Sequence, residues 1–354
     1  MTGKSPDTVW IIQPENRRYI SGFKASDPQF NESSGSLLIS KKRALLITDS
    51  RYTIEAQKES RDFEVITLKG SLLKEMPNLL KRLNTKVLGF EENHITWKAH
   101  KDLAKAIKGL PSPIRLAPLR GLIEKMREVK DQSEIRIMKA ASDLMSDILR
   151  EVISGLKPGR TETDVAREIE ELCYEAGAEG VAFPPIVASG PNGALPHAVP
   201  TKRKIRPKEP IIFDVGLKLN GYCCDMTRTV FLDTPGPGFK KIYRTVRDAQ
   251  LSALEKVKPG LDSTFSDSVA RDIIKDAGFG KYFGHSLGHG VGLATHEAPS
   301  LAPRNPVKLK KGMVVTVEPG IYIPGKGGVR LEEMVVIGEK GVRILTKNDH
   351  YYDF

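Results

Sequence analysis

Lys204-Ile-Arg-Pro-Lys-Glu-Pro-Ile-Ile-Phe-Asp214 aligns without a gap on Lys308-Leu-Lys-Lys-Gly-Met-Val-Val-Thr-Val-Glu318. The chain therefore contains one pattern twice, in which a basic loop leads into an apolar strand that ends in a carboxylate. A Lys-Pro-Gly turn lies upstream of each copy, at 157–159 and at 258–260. Such an internal repeat indicates two structurally related halves. We predict that each half delivers one acidic side chain from the end of a strand.

A second acidic residue follows on the returning strand of the first half. Asn220-Gly221 is a strong signal for a two-residue β-hairpin, because a type I′ turn needs positive φ at both positions. This turn would pair Gly216 with Asp225. Asp225 would then share a face with Asp214, about 7–8 Å away along a diagonal.

The second half repeats this arrangement with longer acids. Glu318 and Glu332 flank a loop at 324–328, whose centre predicts that they lie opposite or diagonal to each other, with Arg330 on the same face. Four acids on apolar strands would repel one another, so either their pKa values rise or cations keep them ionised. Oxygen-rich ligation with one imidazole suits Mn, Co, Fe or Zn.

The imidazole is expected in Gly284-His285-Ser-Leu-Gly288-His289-Gly290-Val-Gly292-Leu-Ala-Thr-His296-Glu-Ala-Pro299, which holds three of the seven histidines. His285 and His289 have the spacing of paired histidines on a zinc-peptidase helix, but no His-Glu-x-x-His is present and four glycines disfavour a helix. We predict an extended or looping segment whose backbone comes close to a ligand.

Five short motifs follow one another along the chain, Phe-Asp214-Val-Gly, Asp225-Met-Thr-Arg-Thr, Gly-His289-Gly-Val-Gly, Glu318-Pro-Gly and Val-Arg330-Leu-Glu332-Glu. In this order they resemble the signature of the pita-bread metallopeptidases. Within that family they look most like the proline-specific branch, which contains aminopeptidase P and prolidase, and the resemblance covers the chain from about Arg127 to its end. It implies an α+β fold with a C-terminal pita-bread domain (the creatinase/aminopeptidase fold) and a smaller N-terminal α/β domain similar to that of creatinase.

The resemblance also implies two divalent cations, with Mn or Co preferred and Zn or Fe as alternatives. A water between them would attack a peptide carbonyl, with Glu318 as the proton shuttle. In this scheme Asp214 binds one cation, His289 and Glu318 bind the other, and Asp225 and Glu332 bind both. The residues that would orient the substrate or stabilise developing charge are His197, His285, His296 and Arg330.

The substrate implied by the resemblance is a peptide with proline in second position. Ser300-Leu-Ala stands where prolidases often carry a basic residue, which favours an Xaa-Pro aminopeptidase over an Xaa-Pro dipeptidase. A non-catalytic basic binding module on the same scaffold is a more distant alternative, supported only by the net charge of +11. The densest basic run, 202–208, lacks interleaved aromatic residues, so we expect a solvated loop and no nucleic-acid partner.

Composition and length predict a soluble globular protein with one or two substantial cores. The 354 residues are 40% apolar and 28% charged, which is ordinary for such a protein. No stretch approaches the roughly 20 apolar residues of a membrane span, and Met1-Thr-Gly-Lys-Ser-Pro lacks the core of a secretory signal, so we expect a cytoplasmic protein. We place the N-terminal domain at 1–120 and the catalytic domain at 121–354. Family resemblance implies a homodimer in which the N-terminal domain controls access to the partner's active site.

The hydrophobic pattern before residue 120 predicts a small α/β domain. After this region, apolar residues recur at helical spacing from Ile135 to Val152 and predict a long buried helix. The predicted strands are 36–40, 44–48, 63–67 and 86–90, and the predicted helices are about 50–60, 71–84 and 95–108.

Overall fold

The structure, a computed structural model, describes residues 5–27, 32–347 and 349–354. Residues 1–4, where the sequence shows no secretory core, lie outside the described residues. The chain divides into two compact units, of which the first ends at Met126 and the second begins at Arg127. In the described part of the chain, no helix has the length and apolar character needed to cross a membrane.

The first unit alternates strands with helices. Within residues 5–27 and 32–126 the strands are β1 (Thr8–Ile11), β2 (Ser36–Ser40), β3 (Ala44–Asp49), β4 (Glu64–Leu68), β5 (Val87–Phe90) and β6 (Arg115–Pro118). The helices are α1 (Pro14–Ser21), α2 (Thr53–Glu59), α3 (Leu72–Arg82), α4 (Trp97–Lys108) and α5 (Leu122–Arg127), which ends at the start of the second unit.

These strands form one mixed sheet in the order β4-β3-β2-β1-β5-β6. Side chains alternate across it, so that Leu38 and Leu45 join one apolar cluster while Leu37 and Leu46 join another. The four predicted strands and three predicted helices are confirmed within a few residues. Strand β6 was not predicted; it ends at Pro118, which an edge strand tolerates at its end.

The second unit contains helices in pairs and many short strands. Its helices are α6 (Gln132–Ser154), α7 (Glu162–Glu175), α8 (Pro237–Lys256) and α9 (Ser263–Asp276) among the described residues. Its strands there are β7 (Gly180–Val181), β8 (Ile186–Ser189), β9 (Ile211–Val215), β10 (Leu217–Leu219), β11 (Tyr222–Cys223), β12 (Met226–Val230), β13 (Gly288–Gly290), β14 (Glu297–Leu301), β15 (Val314–Val317), β16 (Gly320–Ile323), β17 (Gly327–Arg330), β18 (Glu333–Ile337) and β19 (Val342–Ile344).

Two equivalent halves are recognisable in this unit. In the first, α6 and α7 precede a sheet with the order β12-β9-β8; in the second, α8 and α9 precede the sheet β14-β13-β15-β18-β19. The basic loops of the repeat are anchored in the same way, because Lys204 pairs with Thr161 and Lys308 pairs with Asp262 in isolated bridges. The predicted internal repeat is therefore a repeat of structure.

Two apolar cores lie in this unit, and the first of them includes strand residues from both halves, such as Phe213 and Val314. The long helix α6 turns its predicted stripe, including Met138, Met145 and Leu149, into the cluster that contains Phe213 of β9. Helix α8 packs Tyr243 and Val246 into the second core. A capping box at Asp131 and Glu134 fixes the start of α6. The strands that carry the acidic residues are thus held against rigid helices.

Candidate metal centre

The first half positions its acids with a tight hairpin between β10 and β11. Asn220 and Gly221 at the turn have φ of 47° and 84°, as a type I′ turn requires. The register of this hairpin continues into β9 and β12, where Asp214 lies opposite Thr227. Asp225 precedes Thr227 by two residues and therefore lies diagonal to Asp214 on the same face. The predicted turn and register are confirmed.

The second half places its acids directly opposite each other. Strands β15 and β18 pair with Val317 opposite Glu333, and β16 and β17 continue in the same register. Glu318 therefore lies across from Glu332, at the point between the two paired segments. Because side chains alternate along a strand, Arg330 shares the face of Glu332 and Glu333 points to the other.

The histidine-rich segment consists of the short strand β13 with bends on both sides, in agreement with the predicted extended or looping segment. The close backbone approach is to the neighbouring strands, however: a Cβ added to Gly288 would lie 2.0 Å from the Thr316 carbonyl oxygen, and one added to Gly290 would lie 2.3 Å from that of Ala298. The glycines therefore let β13 insert between β14 and β15. This insertion brings His289 close to the strand ends at which the acidic residues lie.

Asp225, His289 and Glu332 converge at one point. Each offers a potential ligand atom, and these atoms lie within 4.8 Å of one another. His289 Nε2 lies 3.6 Å from Asp225 Oδ2 and 3.3 Å from Glu318 Oε1. Asp214 and Glu318 border this group but are not among its three members. Two halves of the chain thus contribute to one centre.

The tautomer of His289 follows from its neighbours. Its Nδ1 lies 3.1 Å from the Gly290 carbonyl oxygen, which accepts a hydrogen bond and cannot donate one, so Nδ1 carries the proton. Burial and the neighbouring His296 lower the pKa of His289 to about 4, so that the ring is neutral near pH 7. The lone pair on Nε2 therefore points at the oxygens of Asp225 and Glu318.

The buried acids raise one another's pKa values. Burial, followed by the charges of neighbouring acids, holds the pKa of Asp225 and that of Glu332 well above their usual values. Burial raises the pKa of Glu318 to about 8, against the opposing charge of Arg330. One buried guanidinium thus compensates only part of the negative charge that these carboxylates would carry when ionised.

Arg330 links the two halves behind the group. Its Nη2 donates to Asp214 Oδ2 at 2.6 Å, and its Nε donates to Thr227 Oγ1 at 3.1 Å. Thr227 Oγ1 in turn donates to Glu332 Oε2 at 2.7 Å. The predicted position of Arg330 on the acidic face agrees with these bonds. Thr227 was not singled out from the sequence, although its place two residues after Asp225 puts it on the same face.

Tyr322 is a second residue that sequence reasoning missed. Arg330 Nη1 donates to its hydroxyl at 2.8 Å, and the hydroxyl lies 2.9 Å from His285 Nε2. His285 Nδ1 faces the Ser286 carbonyl at 2.8 Å and so carries the proton, which makes the Tyr322 hydroxyl the donor to Nε2. Burial raises the pKa of Tyr322 to about 12, so this donor stays protonated.

The remaining predicted histidines lie at the exposed side of the centre. The rings of His296 and His289 have centroids 4.1 Å apart. His197 is exposed on the loop that follows β8, and Arg330 Nη1 donates to the adjacent Pro196 carbonyl at 3.1 Å. Burial and then the charge of His197 lower the pKa of His296. Both rings are therefore accessible next to the group.

Known families match this arrangement over nearly the whole chain. The family described as metallopeptidase family M24 matches residues 136–339, and the creatinase/prolidase N-terminal domain matches residues 1–129. The chain belongs to metallopeptidase family M24. The expected family, the pita-bread fold with its N-terminal domain, and the prediction of an enzyme are thereby confirmed.

Relatives of this M24 protein include enzymes that act on Xaa-Pro peptides. An Xaa-Pro dipeptidase of Pyrococcus furiosus is 36% identical over 350 residues, which are 99% of this chain and 96% of the relative. The structure of an Xaa-Pro dipeptidase from Bacillus anthracis has a TM-score of 0.91 and 38% identity, and covers 97% of this chain and 94% of that one. An X-Pro aminopeptidase from Thermotoga maritima has a TM-score of 0.88 and 36% identity, with coverage of 98% and 96%.

The residues of the centre fit the divalent cations that membership of M24 implies. Glu332 Oε1 is buried and has no hydrogen-bond partner among the described residues. The Nε2 lone pair of His289 faces carboxylate oxygens, an arrangement that is repulsive unless a proton or a cation lies between them. Carboxylates with one imidazole are ligands that Mn, Co, Fe and Zn accept. The M24 centre therefore offers unsatisfied ligand atoms where a cation would bind.

Proposed function

We propose that this chain is a metal-dependent Xaa-Pro dipeptidase, which hydrolyses the bond between an N-terminal residue and a following proline. The observation that carries the proposal is the convergence of Asp225, His289 and Glu332 within 4.8 Å at the centre of a metallopeptidase fold. The names of the relatives supply the substrate class.

Two divalent cations, with Mn or Co preferred to Zn or Fe, complete the proposal. When bound, they would lower the pKa of a water molecule to about 7 and polarise the substrate carbonyl. Asp225 and Glu332, which both belong to the convergent group and come from different halves, would hold the cations together with the other ligands. The proposed ligands are Asp214, Asp225, His289, Glu318 and Glu332.

Glu318 is proposed to accept a proton from the attacking water and to transfer it. Its Oε1 accepts a hydrogen bond from Thr316 Oγ1 at 3.0 Å, which fixes the carboxyl group beside His289. A carboxyl group held beside the attacking water can accept the proton of that water and release it again. We propose that Glu318 delivers the proton to the proline nitrogen as the peptide bond breaks.

Arg330 is proposed to position other groups of the centre. Four of its five side-chain N–H donors are engaged by Asp214, Thr227, Tyr322 and the Pro196 carbonyl. The rings of His197 and His296 are exposed and remain available to contact the substrate, and His285 reaches the centre through Tyr322.

The dipeptidase proposal replaces the aminopeptidase that the sequence favours. Ser300 lies opposite His289 on β14, and its lack of charge supports an enzyme that accepts chain beyond proline. Against this single position stand two similar relatives named Xaa-Pro dipeptidase, one of which gives the higher TM-score. Both candidates use the same chemistry and differ only in whether the site admits residues after proline.

The decisive experiment compares peptides of different length. Protein stripped of metal and reloaded with Mn²⁺ should cleave an Xaa-Pro dipeptide, and should leave Xaa-Ala and Xaa-Pro-Yaa-Zaa intact. A chelator should abolish the activity. Comparable cleavage of the tetrapeptide would establish the aminopeptidase instead, and a protein that cleaves neither proline peptide would contradict both candidates.

We also propose that the protein is a homodimer in which the N-terminal domain, 1–120, of one protomer narrows access to the active site in the catalytic domain, 121–354, of its partner. The measurement is the mass in solution by light scattering. We expect twice the chain mass of 39.1 kDa. A mass equal to one chain would contradict the dimer.

A further inference from the structure

Arg228 lies on β12, three residues after Asp225, and its side chain is 0% exposed. Since Asp225 and Thr227 face the metal centre, strand alternation directs Arg228 to the opposite face. Burial of a guanidinium in an apolar core is unfavourable unless its donors and its charge are matched. The contacts of Arg228 show how this matching is achieved.

The guanidinium has five N–H donors, and five acceptors surround it. Its Nη1 donates to the carbonyls of Thr227 at 3.1 Å and Glu332 at 2.6 Å. Its Nη2 donates to the Lys347 carbonyl at 2.6 Å and to the Glu333 carboxylate at 3.4 Å, and its Nε donates to the Asp349 carbonyl at 3.0 Å. One side chain thus joins β12 of the first half, the start of β18 in the second half, and the segment after β19.

The bond to the Glu332 carbonyl connects Arg228 to the metal centre. The Glu332 amide already donates to the Thr227 carbonyl at 3.1 Å. Arg228 therefore fixes both backbone polar groups around Glu332, one directly and one through Thr227. The orientation of the Glu332 side chain toward Asp225 depends on this peptide geometry.

We propose that Arg228 is a positioning residue for the metal centre: its hydrogen bonds to the carbonyls of Thr227 and Glu332 set the approach of Asp225 to Glu332 and thereby the affinity for the cation. The inference rests on the proposed metal-dependent function. Groups that orient metal ligands typically contribute 10- to 100-fold to metal affinity.

Arg228→Lys tests the proposal, because lysine retains the charge beside Glu333 but cannot reach five separated acceptors. The probe is Mn²⁺ alone, titrated calorimetrically into metal-stripped protein. We expect the dissociation constant to rise about 10- to 100-fold, while kcat at saturating Mn²⁺ and KM for the dipeptide change less than about threefold. Arg247→Lys is the matched control, because Arg247 stacks on the same Tyr351 ring as Arg228. It should bind Mn²⁺ as the wild type does.

A second pair of variants covers the case in which Arg228→Lys does not fold. Arg228→Met combined with Glu333→Gln removes both buried charges together, which avoids leaving one unpaired. This double variant should lose the same affinity, whereas Glu333→Gln alone retains the carbonyl bonds of Arg228 and should bind Mn²⁺ within about threefold of the wild type.

The outcomes separate this inference from the proposed function. A lower melting temperature with an unchanged Mn²⁺ dissociation constant would show that Arg228 only stabilises the fold and would overturn the inference. A wild-type protein that binds no Mn²⁺ would overturn the proposed function and the inference with it. Wild-type binding that is weakened by Arg228→Lys and by the double variant, and not by either control, supports both.

Discussion

The two hairpins that carry the acidic residues, β9 to β12 and β15 to β18, share one strand arrangement but differ in the further side chains that they supply. Both present two carboxylates on one face, in diagonal register at Asp214 and Asp225 and in opposite register at Glu318 and Glu332. The second hairpin alone also supplies Arg330. The strand arrangement therefore brings the acids together in both halves, while the side chains added to one half make the centre asymmetric.

This difference teaches that symmetry of backbone does not entail equal roles. The shorter aspartates lie on the hairpin with the two-residue turn, and the longer glutamates lie on the one with the wider loop at 324–326. Asp225 and Glu332 are nevertheless both members of the convergent group. If the shared strand arrangement alone determines function, equivalent substitutions in the two halves should change Mn²⁺ affinity and kcat/KM equally.

The largest effect is expected from Asp225→Asn and from Glu332→Gln. Each removes a carboxylate from the convergent group, and each should lower Mn²⁺ affinity and kcat/KM by more than about 1,000-fold, beyond the effect of outer groups. Calorimetry and dipeptide kinetics measure both quantities. Asp233→Asn, on an exposed loop of the first half, is the control. A large loss in only one of the two variants would show that one half dominates.

Arg330→Lys should have the next largest effect and tests the asymmetry. Lysine keeps the charge but loses the bonds to Thr227 and Tyr322, and charge-assisted hydrogen bonds contribute about 1.5–3 kcal/mol each. We expect kcat/KM to fall roughly 100-fold, since about 1.4 kcal/mol corresponds to tenfold. Arg343→Lys, exposed on β19, should leave the kinetics unchanged. Wild-type kinetics in Arg330→Lys would remove the distinction between the halves.

The pH dependence of stability should distinguish metal-free from metal-loaded protein. Burial raises the pKa of Glu318 from 4.5 to about 8, so the stability that its protonated form provides is present at low pH and is lost as pH rises toward 8. The pKa values of His285 and His289 are lowered from 6.5 to about 4, so the stability that their neutral forms provide to the folded protein is lost only as pH falls below 6.5. Between pH 6.5 and 8 the carboxyl groups alone should change the free energy of unfolding.

We therefore expect the metal-free protein to lose up to about 1.4 kcal/mol per pH unit in this interval for each proton retained. Urea unfolding at several pH values gives the slope. Saturating Mn²⁺ should remove it, and Glu318→Gln should reduce it. An identical slope with and without Mn²⁺ would argue against a cation bound by these acids.

The smallest effect concerns the helix starts of the two halves. Thr161 caps α7 by accepting from the Asp164 amide, whereas the side chain of Asp262, at the equivalent place before α9, makes no such bond and pairs with Lys308. Thr161→Ala should lower the free energy of unfolding by about 1 kcal/mol. Asp262→Ala should cost less, because an exposed ion pair contributes little. Equal losses would indicate that the repeat is also energetically symmetric.

The parts of the centre that could be predicted from the sequence depend on local rules. The Asn220-Gly221 turn fixed the register of Asp225, and alternation along the strand placed Glu332 and Glu333 on opposite faces. The apolar stripe from Ile135 to Val152 identified α6. Each of these inferences uses neighbours close in sequence, where turn geometry and periodicity act directly.

The parts that could not be predicted require knowledge of which segments meet. The contact of Tyr322 with His285 joins β16 to the loop before β13, and no local pattern indicates it. Gly288 and Gly290 have the composition of a ligand-binding loop, yet their spacing serves the packing of β13 between two strands. The roles predicted for His197 and His296 likewise depend on a substrate pose that sequence does not encode.

The bond from Thr227 to Glu332 joins residues 105 positions apart in the chain. Contacts of such long range form late in folding, because the intervening loop must close first and its entropy opposes closure. The candidate metal centre should therefore assemble after each half has acquired its own helices and strands. We expect Mn²⁺ added during refolding to slow subsequent unfolding while leaving the refolding rate unchanged, since a cation captured after the rate-limiting step cannot accelerate that step.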